Sequence, residues 1–237
     1  MKFLVAFLLF IVPWKSCLSQ ELNYEEIFGD DWKKAASFEK ENRSWMEALI
    51  AQNHISYPLA ISIIFPELIR YSALRNKIEI TLLKTLYVNL GEEYANFSIG
   101  QFQMKPSFAE MIRRDAFPAM GLRPPIIFRK AGEYNDITEF RKSIIKDLED
   151  IVSQVYYLIA FIKICDHSFS LTRKDELSNV KFLATTYNYG FEKNRAEIEK
   201  MTDKKFFNTR LLRSENYSYA DVSVFWFKQF TSGNSIH

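Results

Sequence analysis

Apolar residues recur every three or four positions through much of this chain, the spacing that places them on one face of an α-helix. The longest such pattern covers residues 138–165, where we expect a single scaffold helix. Residues 58–72 are apolar nearly all round, so the helix predicted there should be buried. Further helices are predicted over residues 78–90 and 218–230. Together these patterns indicate an all-α fold.

Three other stretches complete the predicted architecture. Residues 21–53 are charged and aromatic, and they predict one or two short helices. A capping box of Thr172 and Asp175 should begin a helix that ends at Gly190, because glycine favours the end of a helix. Prolines and glycines interrupt residues 113–132 and predict an irregular excursion there.

The first residues have the pattern of a secretory signal peptide over residues 1–19. Lys2 precedes an apolar run at residues 3–12, and Cys17 and Ser19 supply small residues for cleavage after Ser19. The run is too short to span a membrane, and no later segment approaches about 20 uninterrupted apolar residues. We therefore expect export to the periplasm or cell envelope without a stable membrane span. A lipoprotein attached through Cys17 is the alternative, which Lys15 disfavours.

Composition narrows the classes of function. The 237 residues are 48% hydrophobic and 16% aromatic, with seven Gly and seven Pro, which favours a globular helical chain. The net charge of +2 gives no reason to expect a nucleic-acid partner. His54, His167 and His237 stand apart, and no phosphate loop is present in the sequence, so we predict neither a metal site nor a cofactor. The length fits one domain over residues 57–237, preceded by a helical extension over 20–56.

One segment, residues 96–109 with the sequence NFSIGQFQMKPSFA, mixes polar and apolar groups closely. Gln101 and Gln103 alternate with Phe, Ile and Met side chains around Gly100, where a side chain would obstruct a turn. A groove that binds a sugar polymer needs this mixture, because sugars carry hydroxyl groups at their rims and apolar patches on their faces. The alternative is an ordinary helix start whose glutamines are solvated.

Three segments resemble motifs of the lytic transglycosylases, the family that includes soluble lytic transglycosylases and goose-type lysozyme-like enzymes. Residues 100–109, G-x-F-Q-M-x-P-S-x-A, are similar to the family's G-L-M-Q-L-M-P-x-T-A. Residues 57–67 resemble P-x-L-x-x-A-I-x-x-x-E-S, and residues 183–190 resemble A-x-A-Y-N-A-G. The three segments stand in the same order as in that family.

The resemblance implies a lysozyme-like helical fold with a groove for peptidoglycan glycan strands. It makes Glu67 the catalytic acid, which cleaves the bond between N-acetylmuramic acid and N-acetylglucosamine and then accepts the proton of the muramyl 6-hydroxyl. Ser98 and Gln103 would hold sugar or acetamido groups. Tyr187 would orient Glu67 or the 6-hydroxyl, and Asn188 would fix the turn. The substrate-binding positions implied in this way are Ser98, Gly100, Gln103, Met104, Tyr187 and Asn188.

Glu67 is also a candidate acid on chemical grounds. It follows Pro66, which should kink the helix or end it just before Glu67. A carboxylate among Ile, Phe and Leu side chains is costly to bury in its ionised form, so its pKa should rise toward that of a general acid. The alternative is a solvated Glu67 that turns outward and pairs with Arg70.

Two alternatives to a transglycosylase stay open. Glu92 and Glu93 are candidates for the second carboxylate of a hydrolysing lysozyme, although adjacent glutamates in a loop are more often only solvated. Leu68, Gln101 and Tyr189 depart from the family motifs, which have Ser, an apolar residue and a small residue there. These departures favour the other alternative, a catalytically silent glycan-binding or scaffold protein with the same fold.

Overall fold

The computed structural model describes residues 22–73, 77–116, 121–122, 128–171, 175–209 and 215–233, with side chains throughout except at 72–73 and 77–80. The predicted signal peptide over residues 1–19, the lipoprotein alternative at Cys17 and the helix cap at Thr172 lie outside the described residues.

Helices dominate the described part of the chain, so the mainly α-helical class is confirmed. They are α1 (Tyr24–Phe28), α2 (Asp30–Gln52), α3 (Tyr57–Ala73), α4 (Lys77–Leu90), α5 (Pro106–Asp115), α6 (Ile137–Glu149), α7 (Ile151–Phe169), α8 (Glu176–Tyr189), α9 (Arg195–Met201) and α10 (Tyr219–Thr231). A 3-10 turn spans Ala131–Glu133, and the strands β1 (Lys205–Phe207) and β2 (Tyr217–Ser218) form an antiparallel pair. Within the described ranges, none of the helices has both the length and the apolar character needed to cross a membrane.

Helix α3 is the centre of the packing and lies against α2, α8 and α10. Its side chains at Ile61, Ile63 and Phe65 are fully buried, as expected for a helix that is apolar nearly all round. Phe65 stacks on Trp226 of α10 with ring centroids 5.1 Å apart, and it meets Trp32 of α2 edge to face at 4.7 Å. Helices α1 and α2 therefore belong to the same hydrophobic core as the helices that follow.

The sequence predicts that Pro66 either kinks helix α3 or ends it just before Glu67. The helix does not end there. The helix continues through Pro66 to Ala73. Proline removes one backbone hydrogen bond and crowds the preceding turn. Burial of Ile64 before it and Ile69 after it holds the segment helical, because tertiary packing supplies most of a helix's stability. Glu67 therefore lies inside a continuous, buried helix.

The single helix predicted over residues 138–165 is wrong, because α6 and α7 are separate helices that meet at Asp150. Asp150 has extended backbone angles, and its carboxylate accepts a hydrogen bond from the Ser153 amide at 2.8 Å. Aspartate favours such an N-cap position over a helix interior. The apolar period continues across the break because both helices bury a face in the core.

Two other stretches differ from their predictions. Most of residues 21–53 forms α2, a helix of 23 residues, where short helices were expected. No proline or glycine interrupts α2, and its Ala, Glu and Lys residues favour a long helix. Helix α5 takes the first residues of the excursion predicted over 113–132. Gly190 ends α8 as predicted, with a φ angle of 127°.

Candidate active site

Six of the predicted site residues lie along one cleft with a volume of about 250 Å³. It is formed by α3, the loop before α5, the first turns of α5 and the end of α8. The predicted residues that line it are Glu67, Ser98, Gln103, Met104, Tyr187 and Asn188. The structure adds Arg70, Lys105, Tyr189 and Glu192 to this lining. The three motif segments, which are far apart in sequence, thus meet on one surface.

A larger cavity of about 680 Å³ lies elsewhere, between the α2–α3 connection, α7 and α8. None of the predicted site residues lines it. Its charged lining residues in the described ranges, Lys163, Asp166 and Glu176, are all partly or fully exposed. A buried ionisable group marks a chemical site better than cavity volume alone. The smaller cleft has such a group at Glu67 and is therefore the stronger candidate.

The loop that carries Gln103 is a tight hairpin closed by Ile99 and Met104. The amide of each donates to the carbonyl of the other, at 2.9 and 3.1 Å. Gly100 and Gln103 both have positive φ angles, 72° and 48°, which glycine adopts freely and glutamine only at a cost. The Gln103 side chain donates from Nε2 to the Gly100 carbonyl at 2.8 Å. Gln103 therefore holds the loop in shape as well as lining the cleft.

Gln154 of α7 supports this hairpin from behind. It is 1% exposed; its Oε1 accepts from the Phe102 amide at 2.8 Å, and its Nε2 donates to the Leu148 carbonyl at 3.0 Å. A Cβ atom on Gly100 would lie 2.1 Å from Gln154 Nε2, so a larger residue does not fit there. Gly100 was predicted as a substrate-binding position, but it packs against α7 and is not part of the cleft lining.

Tyr187 ties α8 to the same hairpin. Its hydroxyl donates to the Phe102 carbonyl at 2.8 Å, and its ring packs edge-on against Phe108 and Phe161. Burial raises the pKa of Tyr187 well above its ordinary value, and the negative charge of Glu67 adds to the increase. Because a hydroxyl has one proton to donate, Tyr187 positions the loop and does not donate to Glu67 here.

Glu67 is both buried and paired. It is 4% exposed, and its two carboxylate oxygens accept from Arg70 Nη1 at 2.9 and 3.0 Å. Burial raises the pKa of Glu67 above its ordinary value, whereas the positive charges of Arg70 and Lys105 oppose the increase. Each interpretation of the sequence therefore holds in part. Glu67 is buried, which favours its protonated form, and it pairs with Arg70, whose side chain is 24% exposed.

Aromatic residues from two other elements complete the surroundings of this pair. The Arg70 guanidinium lies 4.9 Å from the centroid of the Phe207 ring in β1, a favourable cation–π contact. The Tyr219 hydroxyl of α10 donates to the Ile63 carbonyl at 3.0 Å. Burial raises the pKa of Tyr219 well above its ordinary value, and the nearby charge of Glu67 contributes. None of the three motifs includes these two aromatic residues, so sequence comparison with the motifs did not reveal them.

The predicted second carboxylates, Glu92 and Glu93, are exposed and do not belong to the described lining of the cleft. Glu192 lines the cleft instead, just beyond Gly190 of the third motif. Apart from that proximity, no pattern in the sequence indicates a role for Glu192. Lys105 lies inside the motif segment, at a position that the motif leaves open.

The described residues contain neither a metal-binding cluster nor an activated cysteine. Within the described ranges, no group of three or more His, Cys, Asp or Glu side chains is placed to hold a metal ion. Cys165 is buried, and burial raises the pKa of its thiol well above the ordinary value. A thiol in that environment is a poor nucleophile.

No family model, curated protein or solved structure matches this chain. The resemblance to lytic transglycosylases therefore rests on the three sequence motifs alone.

Proposed function

We propose that this protein cleaves peptidoglycan glycan strands as a lytic transglycosylase, with a lysozyme-like arrangement of helices around the cleft. The observation that carries the proposal is Glu67, a buried carboxyl group in a cleft also lined by amide, hydroxyl and aromatic groups. Burial raises the pKa of Glu67, so it stays protonated to higher pH than a solvated glutamate. A carboxyl group of this kind can act as a general acid.

The reaction needs one carboxyl group. In the first step, Glu67 donates its proton to the oxygen that bridges N-acetylmuramic acid and N-acetylglucosamine, and the bond from that oxygen to C1 of the muramic acid breaks. In the second step, the 6-hydroxyl oxygen of the same muramic acid bonds to C1, while its proton passes to the Glu67 carboxylate. The products are a free 4-hydroxyl and a 1,6-anhydro ring. Glu67 is protonated again, and no water is consumed.

The side chains along the cleft suit a sugar polymer. Ser98, Gln103 and Asn188 offer hydroxyl and amide groups to sugar hydroxyls and acetamido groups. Met111, which is partly exposed, offers apolar surface to the faces of the sugar rings, and the buried Met104 and Phe108 lie beneath it in the lining. Most of the lining residues are polar or charged, which suits a ligand rich in hydroxyl groups better than an apolar one.

Arg70 suits the two-step use of Glu67. After the first step the carboxylate is ionised in a buried site, and Arg70 Nη1 is within hydrogen-bond distance of both oxygens. The guanidinium stabilises that anion. The same interaction lowers the affinity of the Glu67 carboxylate for the proton that it accepts in the second step. Arg70 therefore sets the balance between the two protonation states of Glu67.

The same ion pair favours a second candidate function, a glycan-binding protein without catalytic activity. If Arg70 keeps Glu67 ionised at the working pH, no proton is available for the bridging oxygen, and the cleft would bind a strand without cleaving it. A hydrolysing lysozyme is a further alternative. In that enzyme Glu192, which lines the cleft, would position a water molecule in the role first predicted for Glu92 or Glu93.

A digest of purified cell-wall sacculi by the wild-type protein and by Glu67→Gln tests the proposal. Glutamine keeps the size and polarity of the side chain but has no acidic proton to donate, so cleavage should fall by roughly 10²–10⁴-fold while binding to sacculi is retained. Mass spectrometry of the products separates the two enzyme mechanisms. A transglycosylase leaves 1,6-anhydro ends, which are lighter by one water than the reducing ends left by a hydrolase.

Glu192→Gln is the matched control, because it neutralises the other carboxylate of the cleft. A transglycosylase should keep its cleavage rate within about tenfold in this variant, whereas a hydrolase that uses Glu192 should lose as much as in Glu67→Gln. Wild-type protein that binds sacculi and releases no fragments at any pH would refute the enzyme and leave the glycan-binding function.

Export is part of the same proposal, because peptidoglycan lies outside the cytoplasm. The signal peptide predicted over residues 1–19 supplies the route, and a location in the periplasm or cell envelope follows from it.

A further inference from the structure

A second, smaller depression of about 210 Å³ adjoins the active-site cleft. The two share Asn188 and Tyr189 at the end of α8, so they border each other there. Tyr189 stands where the transglycosylase motif has a small residue, and it is 38% exposed. The depression is therefore bordered by a side chain that the motif does not supply.

Phe206 lines the same depression. It belongs to β1, and successive side chains of a strand point to opposite faces. Its neighbour Phe207 points inward, with its ring centroid 5.6 Å from that of Phe28 and 5.7 Å from that of Tyr219. Phe206 therefore faces outward and is 63% exposed.

The two aromatic residues share the depression with polar side chains. A single exposed aromatic residue is ordinary on a protein surface. Here Tyr189 and Phe206 lie with Asn188, Thr202 and Lys204 around one concave surface. This combination suits a pyranose ring, whose C–H faces pack on aromatic rings while its hydroxyls bond to amide, hydroxyl and ammonium groups. A purely apolar ligand would leave those polar groups without partners.

Size favours one joint site over two separate ones. Cavities that hold ligands usually have volumes of about 300 Å³ or more. The active-site cleft, at about 250 Å³, and the depression, at about 210 Å³, each fall below that volume, whereas the two together exceed it. A strand of several sugars that lies across both would occupy the whole surface.

We propose that Tyr189 and Phe206 form an additional glycan subsite, which binds a sugar ring of the strand that is cleaved at Glu67. This subsite rests on the proposed function of the cleft. Its occupant is the glycan strand itself, because the depression borders the cleft at Asn188 and Tyr189 and a strand that leaves the cleft there reaches it. The competing occupant is a stem peptide attached to the strand, and a peptide-free ligand distinguishes the two.

Calorimetric binding of N-acetylglucosamine oligomers of two and six sugars tests the subsite, with Glu67→Gln in every variant so that nothing is cleaved. The six-sugar oligomer should bind more tightly than the two-sugar one. Phe206→Ala and Tyr189→Ala should each weaken binding of the six-sugar oligomer roughly tenfold, and that of the two-sugar oligomer less. Tyr71→Ala is the matched control, because Tyr71 is 37% exposed and lines neither space.

Loss of the length preference in Phe206→Ala and Tyr189→Ala, but not in Tyr71→Ala, supports the subsite. A preference that both variants retain overturns it and leaves glycan binding in the cleft intact. If only sacculi with stem peptides are bound, the occupant is the peptide and the subsite is overturned. If neither oligomers nor sacculi bind, the proposed function fails as well. Circular dichroism verifies the fold of each variant, which substitution of these exposed side chains should preserve.

Discussion

The charge balance at Glu67 gives a sharp prediction, and Arg70→Met is the change that tests it. Methionine keeps much of the length and the apolar stem of the side chain but removes the guanidinium. Glu67, which is 4% exposed, then stays buried and loses the cation that meets both of its oxygens. The carboxyl group must either become an unpaired buried anion or take up a proton.

The expected cost follows from the burial of the pair. Removing one partner of a buried ion pair costs about 3–5 kcal/mol. The Arg70 side chain is 24% exposed, so solvent screens part of the interaction and we expect a loss of about 3 kcal/mol at pH 8. At a pH where Glu67 is protonated, the loss should shrink to about 1 kcal/mol, the worth of the cation–π contact with Phe207.

The pH dependence has a definite sign. The pKa of Glu67 is raised in the folded protein, so the stability from this group is fully present below its ordinary value of 4.5 and is lost as the pH rises through the folded value. Arg70→Met raises the folded pKa further and extends the loss to higher pH. Between pH 4.5 and 8, its free energy of unfolding should therefore fall more steeply than that of wild type, by at most about 1.4 kcal/mol per pH unit.

Urea unfolding of wild type, Arg70→Met, Glu67→Gln and the double variant across this pH range measures the effect. The double variant should recover most of the pH-dependent loss, since no carboxylate is left to bury. Arg195→Met is the control, because Arg195 pairs with Glu199 at 3.4 Å on the exposed surface and lies over Phe182. It should cost about 1 kcal/mol or less at every pH. A loss in Arg70→Met that does not vary with pH would refute the idea of a buried, ionised pair.

Two further predictions concern the hairpin and the N-terminus. Gly100→Ala should lower the free energy of unfolding by roughly 2–4 kcal/mol, because the new Cβ meets Gln154 and the φ angle is 72°. Gly233→Ala, with a φ of 73° and nothing within 4 Å of its Cβ, should cost only about 1–2 kcal/mol in the same urea titration, and equal losses would show that the close approach has no effect. Protein recovered from the cell envelope should begin near Gln20 on N-terminal sequencing, and an intact N-terminus or a lipid on Cys17 would contradict the predicted cleavage.

Local signals in the sequence were enough to locate most of the helices and the parts of the cleft. Apolar periodicity predicted α3, α4 and α10 to within a residue or so at each end, because each buries a face and has clear flanking breaks. The motifs identified Glu67, Gln103 and Tyr187, since each motif fixes a residue type at a fixed position in a loop or helix. These residues share one cleft. The motif resemblance predicts this shared site, whereas apolar periodicity predicts only where the helices lie.

Contacts between distant segments were not predictable in this way. The bond from Tyr187 to the Phe102 carbonyl joins residues 85 positions apart, and no local pattern encodes it. The i, i+3 spacing of Glu67 and Arg70 predicts only a solvated pair, because that spacing says nothing about burial. The break at Asp150 was missed because a strong capping residue competes with an apolar period that continues on both sides.

That break between α6 and α7 also has a consequence for local unfolding. In one continuous helix the Leu148 carbonyl would bond to an amide one turn further along. Because α6 ends, the Leu148 oxygen is open to Gln154 Nε2, and the same side chain accepts from the Phe102 amide of the Ile99–Met104 hairpin. The corner and the hairpin should therefore open as one cooperative unit. In hydrogen exchange, the Phe102 amide would report the opening of a helix junction about fifty residues away in sequence.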